Sequence, residues 1–432
     1  MSKDSDVLKL VLLVSCSHAL VHLLEQSIAS VEQVISDDLT LSFEQSGWLG
    51  TSLRFPYGFG AFLAGLLADR IGEKRVLVLY LIGSGLVCLT FQNASGVGSV
   101  YLSLFALGSF ASMYHPAGLA LLANETTPEY RSRALGTHGV FGSLGIASAP
   151  FLAGAMLTIS PGNWTGYYLL LGALSSLLGV LIWWLLKPQT RRGHRYSEPS
   201  AAQVSGNPNS PQPGDAASQR PVTSDDRHFQ LWPFFLLVAG AGLSGIVYGG
   251  VLHFLPRYLK EAGLLKIIAD LTGHTITDAA AGNYAAALAL ICGVFGQWAA
   301  GRIAQPGRMP VQLAIVYALN IPFLIWMTVA DGGQRLLAAC LWAFCHFMNQ
   351  PLYNSLLPEY IPRHRRSAGF GFSNMIGFGL GSAGPPLVAF FDSRFGDYTR
   401  SYAALAGLAV IAAILPLPLR SKSLPRSRSG IS

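Results

Sequence analysis

Charge is scarce in this chain. Of its 432 residues only 12% are Asp, Glu, Lys or Arg, 51% are apolar, and the mean hydropathy is +0.42. That balance excludes an ordinary soluble domain of this length and points to a chain that crosses a membrane several times. Cysteine is equally sparse. Cys16, Cys88, Cys292, Cys340 and Cys345 show no paired ligand spacing, so neither a disulfide frame nor a zinc site is implied, and no cofactor is called for. No Gly-rich phosphate loop with its lysine occurs, which argues against direct ATP drive and leaves little for an enzyme reading. A small-residue cleavage site is also missing: the first apolar run starts near Val7 and continues into His18, His22 and Glu25, so it is expected to stay as the first helix. The net charge of +7 is spread over connecting segments, which excludes a nucleic-acid footprint.

Long apolar runs are what the chain has in abundance. A span needs about 20 residues, and polar breaks separate twelve of them. They centre near Val14, Tyr57, Ile82, Ala111, Ile146 and Ser175, then near Ala239, Leu290, Ile315, Trp342, Gly379 and Ala409. From Pro188 to Gln230 the chain turns to Pro, Ser, Gly, Gln and Arg, a composition that predicts a disordered linker. The expected organisation is a six-helix bundle over 1–187, a disordered cytoplasmic linker over 188–230, a second six-helix bundle over 231–420 and a basic cytoplasmic tail over 421–432. The fold class is an all-α membrane protein of twelve transmembrane helices in two pseudo-symmetric six-helix bundles. Lys3, Lys9, Arg70, Lys74, Arg75, Arg131, Arg133, Arg302, Arg308, Arg363, Arg365 and Arg366 fall on one side of these spans. The other side holds Lys260, Lys266, Arg335, Arg394 and Arg400. This asymmetry predicts that both termini and the linker are cytoplasmic.

The two halves repeat each other. Adding 235 carries His115-Pro116 to Gln350-Pro351, Arg131 to Arg366, Gly136 to Gly371, Gly142 to Gly377 and Pro150 to Pro385. One constant offset over five pairs marks an internal duplication.

Between the second and third spans lies Gly65-Leu66-Leu67-Ala68-Asp69-Arg70-Ile71-Gly72-Glu73-Lys74-Arg75. Gly65 and Gly72 permit close approach and a tight turn, and the charges hold that turn in water. The Asp69 carboxylate is suited to bond the free backbone N–H groups at the start of a neighbouring helix, where the helix dipole favours it, and so to latch one conformation. The plainer alternative is a basic turn that only sets orientation. A weaker copy, Ala300-Gly301-Arg302-Ile303, replaces the aspartate by Gly301. The loop resembles the signature loop of the major facilitator superfamily of transporters. That resemblance implies the major facilitator fold, with substrate held near the midplane between two six-span halves, and a gating role for Gly65, Asp69, Arg70, Gly72 and Arg75.

Ser17-His18, Met113-Tyr114-His115-Pro116-Ala117-Gly118 and Arg133-Ala134-Leu135-Gly136 resemble the fosmidomycin resistance protein branch. This implies a proton-coupled exporter of small, often anionic compounds. Two departures stand against the general pattern. Leu104 occupies the place of an arginine common in proton-coupled drug exporters, so that role must move elsewhere. The antiporter pattern of span five appears as Ala149-Pro150 with Ala153-Gly154, and more faithfully as Gly384-Pro385; ordinary membrane packing explains it nearly as well.

Ionisable residues inside spans are costly and normally face a cavity or a partner. His18, His22 and Glu25 are spaced four and three apart and share one face of a helix. Arg54, in the returning span, lies at a similar depth and is expected to pair with Glu25 until an anion or a proton breaks the pair. Histidine titrates near physiological pH, which makes His18, His22 and Glu25 the proton-coupling candidates; hydrogen-bonded packing without titration is the alternative. Arg54, His115, His138, His253, Arg257, His346, Asn349 and Gln350 are the substrate-binding candidates, with Arg257 nearer the outer mouth. Scattered imidazoles with a carboxylate leave a transient metal pathway open.

The expected function is secondary active transport by alternating access in the inner membrane, exporting a small organic anion or drug against protons. The partners are that substrate, protons and the bilayer, with no nucleic acid, and the chain is expected to work as a monomer. An uptake carrier for a carboxylate, phosphonate, siderophore or metal is the alternative, and a non-transporting membrane scaffold a third. If Asp69 is a latch, Asp69→Asn slows turnover in a transport assay with little change in substrate affinity; a selective loss of affinity would misplace its role.

Overall fold

The computed structural model describes residues 2–126, 128–186, 229–263, 276–305, 307–362, 366–396 and 398–419, together with 270 and 273. The expected linker up to His228 and the tail 421–432 lie outside the described residues. So do Lys266, Arg363 and Arg365, and the side chains of Lys3, Arg131, Arg133 and Arg366.

The described residues form helices and no strand. The first eight are α1 (Ser2–Glu25), α2 (Ser27–Asp38), α3 (Phe43–Ile71), α4 (Glu73–Thr90), α5 (Val97–Ala111), α6 (Tyr114–Glu125), α7 (Pro128–Ile159) and α8 (Trp164–Leu185). After the central segment come α9 (Leu231–Leu259), α10 (Asp278–Ile303), α11 (Met309–Val329), α12 (Gly332–Phe347), α13 (Asn349–Leu356), α14 (Arg366–Gly381), α15 (Gly384–Phe395) and α16 (Tyr398–Ile414). All twelve expected span centres fall inside these helices. Eight helical stretches among the described residues are long and apolar enough to cross a bilayer.

Local sequence sets the boundaries. Ser42 and Gln45 form a reciprocal capping box at the start of α3, satisfying N–H groups that a helix cannot satisfy itself. Asn163 and Thr277 cap α8 and α10 more simply, each side chain accepting one backbone N–H, from Gly166 and Ala280. Gly72 ends α3 at φ +93°, a conformation that glycine adopts without steric cost. Beside it, Lys74 donates to the carbonyls of Trp183 (2.9 Å) and Leu186 at the carbonyl end of α8, where a cation complements the helix dipole.

The duplication is visible in the breaks. The α5–α6 interruption just before His115-Pro116 matches the α12–α13 interruption just before Gln350-Pro351, each ahead of a proline that lacks the N–H needed to continue the ladder. The copies diverge at the next pair: α7 runs through Pro150, while α14 and α15 separate before Gly384-Pro385. The first span is longer than a run of about 20 residues centred near Val14, which would have put Glu25 near its outer end. Ser5–Asp38 forms one stretch of 34 residues, so Glu25 sits at its middle, at the α1–α2 junction, and not near its outer end.

Helices α1–α8 pack around one apolar core that includes Leu24, Leu53, Leu104, Tyr114 and Leu171. The cores around Phe254, Leu290 and Trp342, and around Leu313, Leu352 and Leu356, belong mainly to α9–α16. Trp184 (78% exposed), Leu102 (71%), Val329 (75%) and Phe295 (60%) stand on the outside, an apolar surface suited to lipid and not to water.

Polar contacts joining the two groups gather at the end away from the chain termini. Arg257 meets Glu32, Asn283 donates to the Ser30 carbonyl (2.8 Å), and Ser393 donates to Glu44 (3.0 Å). There the backbones are close enough that a Cβ on Gly47 would lie 2.7 Å from Ala389. At the terminal end, a Cβ on Gly136, Gly139, Gly301 or Gly371 would meet nothing within 4 Å. Among the described residues the contacts between the two groups thus concentrate at the end away from the termini, the closed end, and thin out toward the terminal, splayed end.

Gly108 provides a test of packing inside the first group, because a Cβ there would lie 2.1 Å from the Leu53 carbonyl oxygen. Gly108→Val should cost about 1–3 kcal/mol, the usual range for overpacking, and lower the melting temperature in detergent. Gly136→Val, which meets open space, should not. Equal melting of the two variants would contradict this packing.

Candidate functional site

The middle of the first group holds a continuous polar cluster. Its anchor is Glu25, fully buried, which accepts from Arg54 Nη1 at 2.8 Å and from His22 Nδ1 at 2.9 Å. Arg54, itself only 3% exposed, also donates through Nη2 to Gln26 at 3.3 Å. Its Nε–H has no acceptor among the described residues. Gln26 donates to the hydroxyl of Tyr248 on α9 at 2.9 Å, and the guanidinium lies 5.2 Å from the centre of the Tyr248 ring. The cluster thus reaches across to the second group of helices.

On the other side of His22 the histidines form a chain. His22 Nε2 lies 3.2 Å from His18 Nε2, and His18 Nδ1 lies 2.7 Å from the His138 carbonyl. The His18 and His138 rings stack at 3.8 Å, and Gly142 makes room for them, since a Cβ there would lie 2.3 Å from the His18 ring. Tyr114 donates to the Val14 carbonyl (2.9 Å) and accepts from His138 Nε2 (2.8 Å). His115, part-buried, shares a hydrogen bond of 2.9 Å with Tyr57 and stacks on Phe378 of α14.

Acceptor chemistry fixes the tautomers. A carbonyl oxygen only accepts, so His18 Nδ1 carries a hydrogen. Glu25, ionised beside Arg54, also only accepts, so His22 Nδ1 carries one. The two Nε2 atoms then face each other with lone pairs unless a cation stands between them.

The remaining candidates lie elsewhere. His253 donates to the Ser46 carbonyl at 2.9 Å, and Arg257 makes a two-pronged pair with Glu32 at 3.0 and 2.7 Å. Both belong to the closed end and stand apart from the histidine chain. Ser36 (3.1 Å) and Ser46 also donate to Glu32, so its carboxylate is fully engaged. His346 bonds Asn320 at 2.8 Å and stacks on Trp342 and Tyr248. Asn349 donates to Ser244 at 3.3 Å. Gln350 is exposed and accepts from Gln297, which in turn accepts from Ser143 of α7. Asp69 and Arg75 are exposed in the splayed end, and Asp69 has no hydrogen-bond partner among the described residues. A Cβ on Gly65 would make only an ordinary contact, 3.7 Å, with Pro116, so the close approach expected at this glycine is not found.

Sequence reasoning passed over Gln26, Glu32, Tyr57, Tyr114, Tyr248 and Gln297. Glu32 carried a signal: it lies seven residues after Glu25, two helical turns along the same face. The neutral residues carried none, because their roles depend on partners up to 222 positions away.

The Glu25–Arg54 pair invites a cycle of substitutions. Removing one member of a buried pair typically costs about 3–5 kcal/mol, because the other charge stays unpaired. Glu25→Gln should therefore lower the melting temperature clearly, and Glu25→Gln with Arg54→Gln should recover most of the loss. Additive losses would mean that the two charges do not depend on each other.

Comparison with known proteins extends this picture. The description of the Major Facilitator Superfamily matches residues 14–385. The chain is 24% identical over 422 residues to the protein named "Probable sulfoacetate transporter SauU" of Cupriavidus necator, covering 94% of this chain and 92% of that one. It is 32% identical over 163 residues to the puromycin resistance protein of Streptomyces alboniger, a match that covers 37% of this chain and only 31% of the relative's length. Among solved structures, a bacterial homologue of the human lysosomal transporter Spinster, in an inward-facing and occupied conformation, superposes with a TM-score of 0.69 at 16% identity over 94% of this chain and 95% of that one. Helices on both sides of the central segment fall within the matched range, and the fold agrees from end to end. The chain belongs to the Major Facilitator Superfamily, and is a membrane transporter and not an enzyme.

Proposed function

We propose that this transporter carries a small organic anion or drug by proton-coupled alternating access, in the direction of export. The observation that carries the reading is the pair of opposed imidazole nitrogens, 3.2 Å apart, whose outer nitrogens are committed to a carbonyl and to Glu25. One proton shared between them removes the lone-pair repulsion, and it would sit one hydrogen bond from the Glu25–Arg54 pair. A proton arriving there weakens the hold of Arg54 on Glu25, since His22 then competes as a cation for the same carboxylate.

The substrate's charge follows from Arg54. Its Nε–H lacks an acceptor, and an N–H left unsatisfied in an apolar interior is costly. A carboxylate, phosphonate or sulfonate reaching Arg54 would satisfy it. The full-length relative named for sulfoacetate supports an organic anion. The puromycin resistance relative, and the resemblance to the fosmidomycin resistance branch, support export.

We further read the splayed end as cytoplasmic, following the basic residues that collect there, with the protein a monomer in the inner membrane. Asp69 then stands free in an inward-open state and would engage a helix start when that end closes. Gln297 and Gln350 would contribute neutral contacts from the second half.

The reading is tested in an efflux-deficient bacterial host across a drug panel that includes fosmidomycin and puromycin. Protection should appear with the native chain and vanish with Glu25→Gln at equal membrane expression. In vesicles, an exported compound should dissipate an imposed proton gradient. Increased sensitivity in cells would instead assign uptake.

A further inference from the structure

The histidine cluster has the form of a metal site. His18, His22 and His115 each offer a ring nitrogen, and the three atoms lie within 4.8 Å of one another. The ring centres of His18 and His22 are 4.8 Å apart, and each is 5.4 Å from that of His115.

Two further features separate this group from a chance gathering. First, the outer nitrogens are oriented as they are around bound metals: His22 Nδ1 on the Glu25 carboxylate at 2.9 Å, His18 Nδ1 on the His138 carbonyl at 2.7 Å. Such partners fix the tautomer and leave Nε2 as the ligand atom. Second, the bite is right. Nitrogens bonded at about 2.0–2.1 Å to a tetrahedral zinc ion stand roughly 3.4 Å apart, and the two Nε2 atoms stand 3.2 Å apart. His115 is held by the Tyr57 hydroxyl at 2.9 Å and is part-buried at the edge of the cluster.

We propose that His18, His22 and His115 bind one divalent transition-metal ion of the imidazole-preferring kind, such as zinc, cobalt or nickel, with a fourth position left for water or a carboxylate. Neutral imidazoles suit these ions, whereas calcium and magnesium prefer oxygen. Arg54 and Glu25 already cancel each other, so the ion's two charges favour an anionic fourth ligand. Metal and shared proton would compete for the same space between His18 and His22. This site does not depend on the coupling or the direction proposed above, because it rests on equilibrium geometry alone.

The test is equilibrium titration of the full-length chain, purified in detergent without a polyhistidine tag, with cobalt chloride followed by ligand-field absorption and with zinc chloride followed by calorimetry. The native chain should take up one equivalent. His22→Ala and His115→Asn should each weaken uptake at least tenfold, and Glu25→Gln should weaken it about 10–100-fold through loss of the carboxylate behind His22. His346→Ala, in the other half, should bind as the native chain does. Thermal melting of each variant without metal establishes that it is folded. His115→Asn, at the part-exposed edge, is the variant least dependent on core packing. No stoichiometric uptake by the native chain, or unchanged affinity in folded His115→Asn and His22→Ala, would overturn the assignment.

Discussion

The contact between Glu25 and Arg54 is the constraint from which the interior is built. Neither side chain belongs in an apolar medium alone, and each is tolerated there because the other stands 2.8 Å away. The pair ties α1 to α3 at the depth where the first span breaks. Because Glu25 also takes the His22 hydrogen, His22 is turned toward His18, and His18 toward the carbonyl of His138. Gln26 carries the same constraint over to Tyr248 in the second half. One ion pair thus orders contacts among four helices, α1, α3, α7 and α9.

A transporter also needs an interior with two stable arrangements. Shifting a two-state equilibrium from 1:99 to 99:1 takes about 5.5 kcal/mol, close to what is lost when one partner of a buried ion pair is removed, about 3–5 kcal/mol. Changes in the charge of the Glu25–Arg54 or Glu32–Arg257 pairs are therefore of the size that such a transition requires. Glycines between the two halves let the backbones approach without interlocking side chains: a Cβ on Gly47 at the closed end would lie 2.7 Å from Ala389, and one on Gly58 at mid-depth 2.4 Å from the Gly379 nitrogen. Smooth contacts of this kind part without unpacking the cores on either side.

The two halves share a plan but not a chemistry. His115 in one copy is Gln350 in the other. The ionisable groups of the central cluster, His18, His22, Glu25, Arg54, His115 and His138, lie in the first half, while Asn320, Asn349, Gln297 and Gln350 give the second half mainly amides around His346, its His253 and Arg257 standing apart at the closed end. An amide accepts and donates without titrating.

The sequence by itself determined the helices, their approximate centres and the duplication, because these follow from run length, periodicity and a fixed offset along the chain; the family was implied only by the resemblance of the loop from Gly65 to Arg75. It also determined that His18, His22 and Glu25 share a face and that Arg54 lies opposite, since four- and three-residue spacing maps directly onto a helix. The pairing of Glu25 with Arg54 was expected from that placement and is found at 2.8 Å, whereas the other pairings were decided only by the tertiary structure. Arg257 and His253 carry the same sequence signature as the interior candidates, yet Glu32 and Ser46 engage them at the closed end. His138 and Tyr114 gain their roles from backbone carbonyls, which every residue possesses and no sequence pattern marks. Helix-by-helix periodicity is local, whereas the fit of one face against another depends on how far the halves are tilted. That tilt is set by contacts between residues hundreds of positions apart.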